Sequence, residues 1–257
     1  MKHFLVVVGY FVAVFGCVGI FRCHGDASVG KIAPIVVVEV GKEKPQPPSP
    51  PQNKWICKRE AIRQRLAEGK IIFSDDFDRP ELGGNWIVEE GTWQSGRAMG
   101  KTPDGVIGTN GKKYPDTFLW TKQSFKGDLS VEFEAECLAA IPQDINFVIN
   151  GQAPNYPPPE KPLYLFGLGG WGNTMSGVER APDYKWKMLT GLFTIEKNKI
   201  YKVLAGRLGS KFYLFVDGKL IVETADPNPL PNEGQFAFHV YESTVRYSKL
   251  RLRAPEK

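Results

Sequence analysis

Short apolar or alternating runs, separated by Gly, Pro, Asn and Asp, fill the chain from Ile71 to Leu252. This pattern is typical of antiparallel strands joined by tight turns rather than of a βα architecture. We therefore predict an all-β sandwich or barrel. The predicted strands are Ile71–Ser74, Trp86–Glu89, Thr92–Gln94, Thr117–Thr121, Leu129–Cys137, Asn146–Ile149, Leu163–Leu168, Ile200–Arg207, Lys211–Val216, Lys219–Glu223, Gln235–Tyr241 and Val245–Leu252.

Two stretches carry this pattern with little ambiguity. Asp217-Gly218 separates two apolar runs by two residues that tolerate positive φ, which predicts a tight β-hairpin. In Leu129–Cys137, apolar residues alternate with Glu132, Glu134 and Glu136, so one face of that strand should be core and the other wet.

The N-terminus has the form of a targeting segment, because Lys2 and His3 precede an uncharged apolar run from Phe4 to Phe21. A cleaved signal has an apolar core of ~7–15 residues and a spanning helix needs ~20, so a cleaved signal and a retained anchor both stay open. The residues around Cys17 resemble a bacterial lipoprotein signal, which makes Cys17 a lipidation candidate. The alternative is a cysteine that merely lies in a signal peptide.

Composition then divides the chain into four parts. Residues 1–25 are the signal peptide, lipoprotein signal or anchor, and residues 26–54 form a proline-rich linker that is predicted to be extended. Residues 55–69 form a short basic helix, in which Ile62 and Leu66 are one turn apart and Gly69 is a candidate C-terminal cap. Residues 70–257 form one β-domain, for which we expect a monomer.

Charge and cysteine usage restrict the partners and the compartment. The net charge is +5, but the basic residues are scattered, so we expect no nucleic-acid partner and membrane attachment only through the N-terminal segment. With export expected, Cys57 and Cys137 are disulfide candidates, and two buried free thiols are the alternative.

Several motifs occur through the β-domain: Phe73–Arg79 followed by Trp86 and Gly91-Thr-Trp93, Leu119-Trp120-Thr121, Tyr201-Lys-Val203, Gly234–Phe238 and Tyr247–Arg251. Together they resemble the concanavalin A-like lectin/glucanase superfamily, in particular its 3-keto-disaccharide hydrolase (3-keto-glucoside lyase/hydratase) branch. The resemblance implies a two-sheet antiparallel jelly roll that handles carbohydrate on the concave face of one sheet. In this chain, two segments correspond to the motifs that mark the site in the hydrolase branch: Asn146–Gly151 and Gly177–Arg180.

Three sets of residues are candidates for chemistry. Glu132, Glu134 and Glu136 share a strand face, where neighbouring carboxylates could reach the ~5–5.5 Å separation of a retaining glycosidase; the alternative is an ordinary solvated face. His239 shares a face with Ala237 and Tyr241 and is either an acid/base or a structural histidine. The acidic turn Asp75-Asp76-Phe77-Asp78 is a candidate for a structural calcium site or simply shapes the turn.

A glycine-rich aromatic region forms the binding candidate. Sugars present apolar C–H faces ringed with hydroxyls, so aromatic rings beside amide, carboxylate and guanidinium groups suit them. The residues of this type between Gly169 and Trp186, which we interpret as a loop, are Trp171, Asn173, Glu179, Arg180, Tyr184 and Trp186. The alternative is that the tryptophans plug the open end of the sandwich.

These observations predict an exported carbohydrate-binding domain that acts on an oligo- or polysaccharide, either secreted or anchored at a bacterial cell envelope. Two alternatives stay open: a glycoside hydrolase or lyase of the keto-disaccharide type, and a surface structural or adhesion module without sugar specificity. Beyond the candidate calcium, no cofactor is predicted, because the sequence has no metal-ligand spacing, phosphate loop or dinucleotide fingerprint.

Overall fold

The computed structural model describes residues 52–96, 104–110, 116–155 and 160–256. These lie in one compact unit that spans Ser49–Lys257. The predictions for the signal segment, for Cys17 and for most of the linker lie outside the described residues. Within them, no helix combines the length and apolarity that crossing a membrane requires.

Two antiparallel sheets make up the domain. In both sheets, some strands that lie side by side are not consecutive in the sequence. Sheet A has the order β13-β12-β11-β6-β15-β4-β3, with β1 also paired to β15. Its strands are β1 (Lys70–Asp75), β3 (Thr92–Ser95), β4 (Val106–Thr109), β6 (Leu129–Cys137), β11 (Ile200–Leu208), β12 (Lys211–Val216), β13 (Lys219–Ala225) and β15 (Thr244–Ala254).

Sheet B has the order β10-β9-β8-β7-β14-β5-β2. Its strands are β2 (Trp86–Glu89), β5 (Asp116–Lys126), β7 (Ile145–Gly151), β8 (Leu163–Gly169), β9 (Met175–Ala181), β10 (Lys187–Thr190) and β14 (Glu233–Tyr241). A short helical turn, α2 (Gly170–Asn173), joins β8 to β9. The predicted all-β jelly-roll sandwich is confirmed.

Aromatic rings from both sheets fill the space between them. Phe238 of β14 is fully buried and lies at the centre of this core. The rings around it are those of Tyr247 (4.0 Å between centroids), Phe236 (5.0 Å), Phe133 (5.3 Å), Phe77 (6.3 Å) and Trp86 (6.3 Å). Because strand side chains alternate between faces, the neighbours of these residues along sheet B point outward.

The two clear sequence patterns form as predicted. Val216 pairs with Lys219 across a two-residue turn in which Asp217 and Gly218 both have positive φ (49° and 76°). Val131, Phe133, Ala135 and Cys137 are buried, whereas the three intervening glutamates are partly exposed.

The N-terminal helix α1 (Gln52–Glu68) lies against sheet A. Leu66 is fully buried beside Tyr213 and Phe215, and its carbonyl accepts a hydrogen bond from the Ser130 hydroxyl (2.7 Å). Gly69, the candidate C-terminal cap, directly follows the last residue of α1, and its φ is not positive. A Cβ at Gly69 would lie 2.7 Å from the Ala254 carbonyl oxygen, so glycine permits a close chain crossing there instead.

Candidate functional site

A single row of residues crosses the outer face of sheet B. Each residue of the row is the register partner of the next on the neighbouring strand. In order from β5 to β10, the row is Phe118, His239, Asn146, Gly167, Gly177 and Leu189. The row therefore places a histidine and an amide beside two positions that have no side chain.

The two glycines leave a hollow in this face. A Cβ at Gly167 would lie 2.8 Å from Asn146 Oδ1, and a Cβ at Gly177 would lie 2.0 Å from the Met188 carbonyl oxygen. Any larger residue would fill or deform the floor at these positions. Above the floor is a cleft of about 490 Å³, which we call the sheet B cleft.

The segment that follows β7 covers another part of the outer face of sheet B. Trp120 is fully buried on the outer face of the sheet, and its Nε1 donates to Glu89 Oε2 (2.7 Å). The same oxygen accepts the Asn155 backbone N–H (2.9 Å), and Ala153 packs on the cluster that contains Trp120. The open part of the face is therefore limited to the region around the glycines.

His239 is held firmly at the cleft wall. Its Nε2 lies 2.7 Å from Asp116 Oδ1, and its ring stacks on Phe118 with 4.5 Å between centroids. The side chain is only 4% exposed, and its Nδ1 has no hydrogen-bond partner among the described residues. Asp116 and Phe118 therefore fix the orientation of the imidazole at the edge of the cleft.

Asp144 lies immediately before β7, two residues from Asn146. Burial raises the pKa of its carboxyl to about 6, although the Asn146 side-chain amide donates to Oδ1 (3.3 Å) and opposes the shift. The nearby Glu242 and Asp116 raise the pKa further. Asp144 is therefore a carboxyl that holds its proton to a higher pH than usual.

Replacing Asp144 with asparagine should stabilise the protein in a pH-dependent way. Above pH 6 the folded state must keep a buried carboxylate, whereas the unfolded chain ionises it freely, so we expect Asp144→Asn to add roughly 2 kcal/mol to the free energy of unfolding at pH 8. The gain should shrink as the pH falls towards 4 and vanish below about pH 3, where the carboxyl is protonated in both states. Urea unfolding from pH 4 to 8 measures this; a gain that is equal at both ends would contradict the assignment.

The Trp171 side chain lies at the rim of the cleft. It is 55% exposed and is carried by α2 with a left-handed backbone (φ 52°, ψ 53°). Asn173 secures this turn, because its Nδ2 donates to the Ile195 carbonyl (2.7 Å) and its Oδ1 accepts the Ile195 N–H (2.8 Å). The exposed indole is therefore presented by an anchored turn.

Glu179 and Tyr184 line the side of the cleft near β9. Glu179 is 8% exposed, and burial raises the pKa of its carboxyl, with Lys187 Nζ 4.0 Å away opposing the shift. Burial likewise raises the pKa of Tyr184 to about 12. Tyr184 therefore stays a hydroxyl donor at neutral pH.

The interpretation of 169–186 as a loop is wrong, because the segment contains the turn α2 and the strand β9, and β9 pairs with β10 along Ser176–Glu179. The alternation of β9 places Glu179 in the cleft and Arg180 on the opposite face, where it pairs with Asp226 (2.9 Å). Trp186 packs against Phe212 in the core. Of the six predicted binding residues, Trp171, Glu179 and Tyr184 line the cleft, Asn173 anchors it, and Arg180 and Trp186 face elsewhere.

The glutamates of β6 lie on sheet A, away from the cleft. Each is paired with a basic residue of β15: Glu132 with Arg253 (2.7 Å), Glu134 with Lys249 (3.0 Å) and Glu136 with Arg246. Among the predicted catalytic residues only His239 lines the cleft. The structure thus separates the histidine from the three glutamates by the thickness of the sandwich.

The candidate disulfide does not form in the structure. Cys57 is an exposed free thiol on α1, and Cys137 is a buried free thiol near Ser243 Oγ (3.5 Å). Helix α1 contacts β6 at Ser130, whereas Cys137 lies at the opposite end of that strand. The two thiols are therefore not adjacent.

In the predicted calcium turn, Asp75 is engaged by other groups. Its carboxylate accepts from Arg79 Nη1 (2.7 Å), Trp86 Nε1 (2.8 Å) and the Phe77 N–H (2.8 Å). No group of three or more metal-ligating side chains is found among the described residues. Calcium binding at this turn stays a prediction.

Sequence reasoning missed three acidic residues of the cleft: Asp116, Asp144 and Glu242. Each lies at a strand end, where an acidic residue ordinarily indicates a turn. The register of β5, β7 and β14 is what brings them together, and a single sequence does not show register.

Comparisons with known proteins bear on this architecture. The carbohydrate-binding module CBM66 from Bacillus subtilis superposes with a TM-score of 0.51 at 16% identity, covering 68% of this chain and 98% of that one. A galectin-like protein of unknown function from Bacillus subtilis gives a TM-score of 0.58 at 11% identity, covering 72% and 96%. The chain has the concanavalin A-like fold. At these identities the likeness establishes the fold of the sandwich alone.

One curated relative aligns with part of this concanavalin A-like chain. The extracellular exo-alpha-L-arabinofuranosidase of Streptomyces chartreusis is 26% identical over 166 residues, which cover 62% of this chain. The alignment spans only 18% of that enzyme's length. No protein-family model matches the sequence. The keto-disaccharide branch therefore stays a prediction, whereas the wider fold resemblance is confirmed.

Proposed function

We propose that the sheet B cleft binds a saccharide and that the chain is an exported carbohydrate-binding domain. The observation that carries this proposal is the exposed Trp171 indole at the rim of a hollow lined with polar side chains. An indole suits the apolar face of a sugar ring, and Glu179, Asp144 and Asn146 can accept or donate hydrogen bonds at its hydroxyls. Phe118, Leu163, Leu165 and Leu189 add apolar side chains to the lining.

The comparisons support this proposal at the level of class. A carbohydrate-binding module shares the fold, and the aligned curated relative is an extracellular enzyme that acts on an arabinofuranoside. The match to only 18% of that enzyme is consistent with a region separate from most of the larger protein. Export is proposed on the same ground, together with the apolar segment at residues 4–21.

Replacing Trp171 with alanine should weaken saccharide binding by about a hundredfold, because stacking of an exposed indole on a sugar face is lost. The measurement is a glycan array with the full chain, followed by titration of each glycan that binds. Trp55, which is 68% exposed on α1 against sheet A, offers a matched control. Trp55→Ala should bind as the wild type does.

Two results would count against the proposal. Equal saccharide affinity of Trp171→Ala and the wild type would mean that the cleft is not the binding site. If the wild-type chain binds no glycan on the array, a structural or adhesion module is favoured instead.

Hydrolysis is a second candidate function, and Asp144 is the observation that favours it. A carboxyl with a pKa of about 6 is suited to protonating a leaving group, and Asp116 and Glu179 line the same cleft. Incubating each bound glycan with the wild type and with Asp144→Asn, followed by product analysis, tests it. Product formation that depends on Asp144 would make the domain an enzyme, and an absence of product would leave it a binding module.

A further inference from the structure

The charged side chains that line the sheet B cleft are acidic. Asp116, Asp144, Glu179 and Glu242 line it, whereas none of its lining residues in the described part of the chain is lysine or arginine. Lys187 approaches Glu179 only to 4.0 Å and is half exposed. His239 is the one imidazole that lines the cleft among the described residues, and its Nε2 lies 2.7 Å from Asp116 Oδ1.

Glu179 is the most telling of the four. The residue is 8% exposed and lines the cleft, and Lys187 Nζ lies 4.0 Å from its carboxylate. Burial disfavours the charged form and raises the pKa of this carboxyl, and Lys187 opposes the shift. A ligand that brings hydrogen-bond donors into the cleft would stabilise the carboxylate further.

The other acids present acceptor atoms in the same way. One Asp144 oxygen takes the Asn146 amide and one Asp116 oxygen meets His239, and each carboxylate has further lone pairs. Ionised carboxylates accept hydrogen bonds and do not donate them, so they bind hydroxyls and ammonium groups and repel other carboxylates and sulfates.

From this geometry we infer that the cleft selects saccharides without acidic groups: it admits neutral or amino sugars and rejects uronates, sialylated glycans and sulfated glycans. This inference rests on the proposed saccharide binding and adds the chemical class of the ligand. The selection is electrostatic, so it weakens as salt screens the charges.

The test uses the full chain and defined probes. The neutral and basic probes are arabinan, galactan, cellulose and chitosan oligosaccharides, and the acidic probes are oligogalacturonate, hyaluronan and heparan sulfate oligosaccharides. Methyl-esterified oligogalacturonate serves as a matched uncharged partner of the free acid. Affinities are measured at low salt and at roughly 0.5 M salt, where the Debye length falls below about 5 Å.

We expect at least one neutral or basic probe to bind, and every acidic probe to bind at least about tenfold more weakly at low salt. The double variant Glu179→Gln with Asp144→Asn should reduce this difference in affinity between neutral and acidic probes. Glu134→Gln, on the outer face of sheet A, should leave the difference in affinity unchanged. Circular dichroism and thermal midpoints check that each variant folds.

Acidic probes that bind as tightly as the neutral ones would overturn the inference and leave saccharide binding intact. If the double variant shows the same difference in affinity between neutral and acidic probes as the wild type, the inference is also overturned. The selection against acidic glycans would then not depend on Glu179 and Asp144. If the wild type binds none of the probes, the proposed function and the inference are overturned together.

Discussion

Alanine in place of Phe238 is expected to lower the free energy of unfolding by about 4 kcal/mol, because it removes a fully buried ring and leaves a cavity. Among the described residues, five aromatic rings lie within 6.3 Å of the Phe238 ring between centroids, and they include residues of both sheets. Such an interlocked cluster cannot collapse around the gap without moving several side chains. Equilibrium urea unfolding of the full chain measures the loss.

Val88→Ala provides the comparison for Phe238→Ala, since Val88 is 46% exposed on β2 of the same sheet. Its effect should stay within about 0.5 kcal/mol. A loss below about 1.5 kcal/mol for Phe238→Ala would mean that the core repacks freely, contrary to the description given above.

Methionine in place of Arg207 is expected to cost about 3–5 kcal/mol, because it strands several buried acceptors. Arg207 is 2% exposed, and its guanidinium donates to Asn150 Oδ1 (2.8 Å) and to the carbonyls of Gly209 (2.8 Å), Pro231 (3.1 Å) and Leu230. These groups belong to β7 and to two separate connections, so one side chain of β11 joins sheet A to sheet B.

Lysine should not rescue the Arg207 position, because an ammonium lacks the planar fork that reaches acceptors on both sides. Lys202→Met, an exposed site on the same strand, is the matched control and should change stability by less than about 0.5 kcal/mol. Unfolding curves of Arg207→Met that coincide with those of Lys202→Met would show that the carbonyls find water instead.

Much of the fold could be predicted from local pattern. The alternation in β6 and the Asp217-Gly218 turn are decided by neighbours in sequence, and both form as expected. By contrast, β9 was missed because Met175–Ala181 contains Ser176 and Gly177 and does not alternate clearly. Its pairing with β8 and β10 makes it a strand, and local sequence propensity does not predict pairing with those strands.

The candidate site was harder to predict than the fold. The aromatic and glycine signals pointed to Trp171, Glu179 and Tyr184, which do line the cleft. The carboxylates opposite them come from the starts or ends of β5, β7 and β14, which are joined only by register. The glutamates of β6 do not line the cleft, and an alternating acidic strand has the same sequence pattern whether it lines a cleft or pairs with basic neighbours.

The backbone floor at Gly167 and Gly177 has a practical consequence for protein engineering. Its amide and carbonyl groups are engaged between neighbouring strands, so the floor offers a ligand shape rather than selective chemistry. Selectivity must then come from side chains at the walls and from the turn that carries Trp171. Libraries that vary the walls and keep both glycines should alter which sugar is recognised without disturbing the strands beneath.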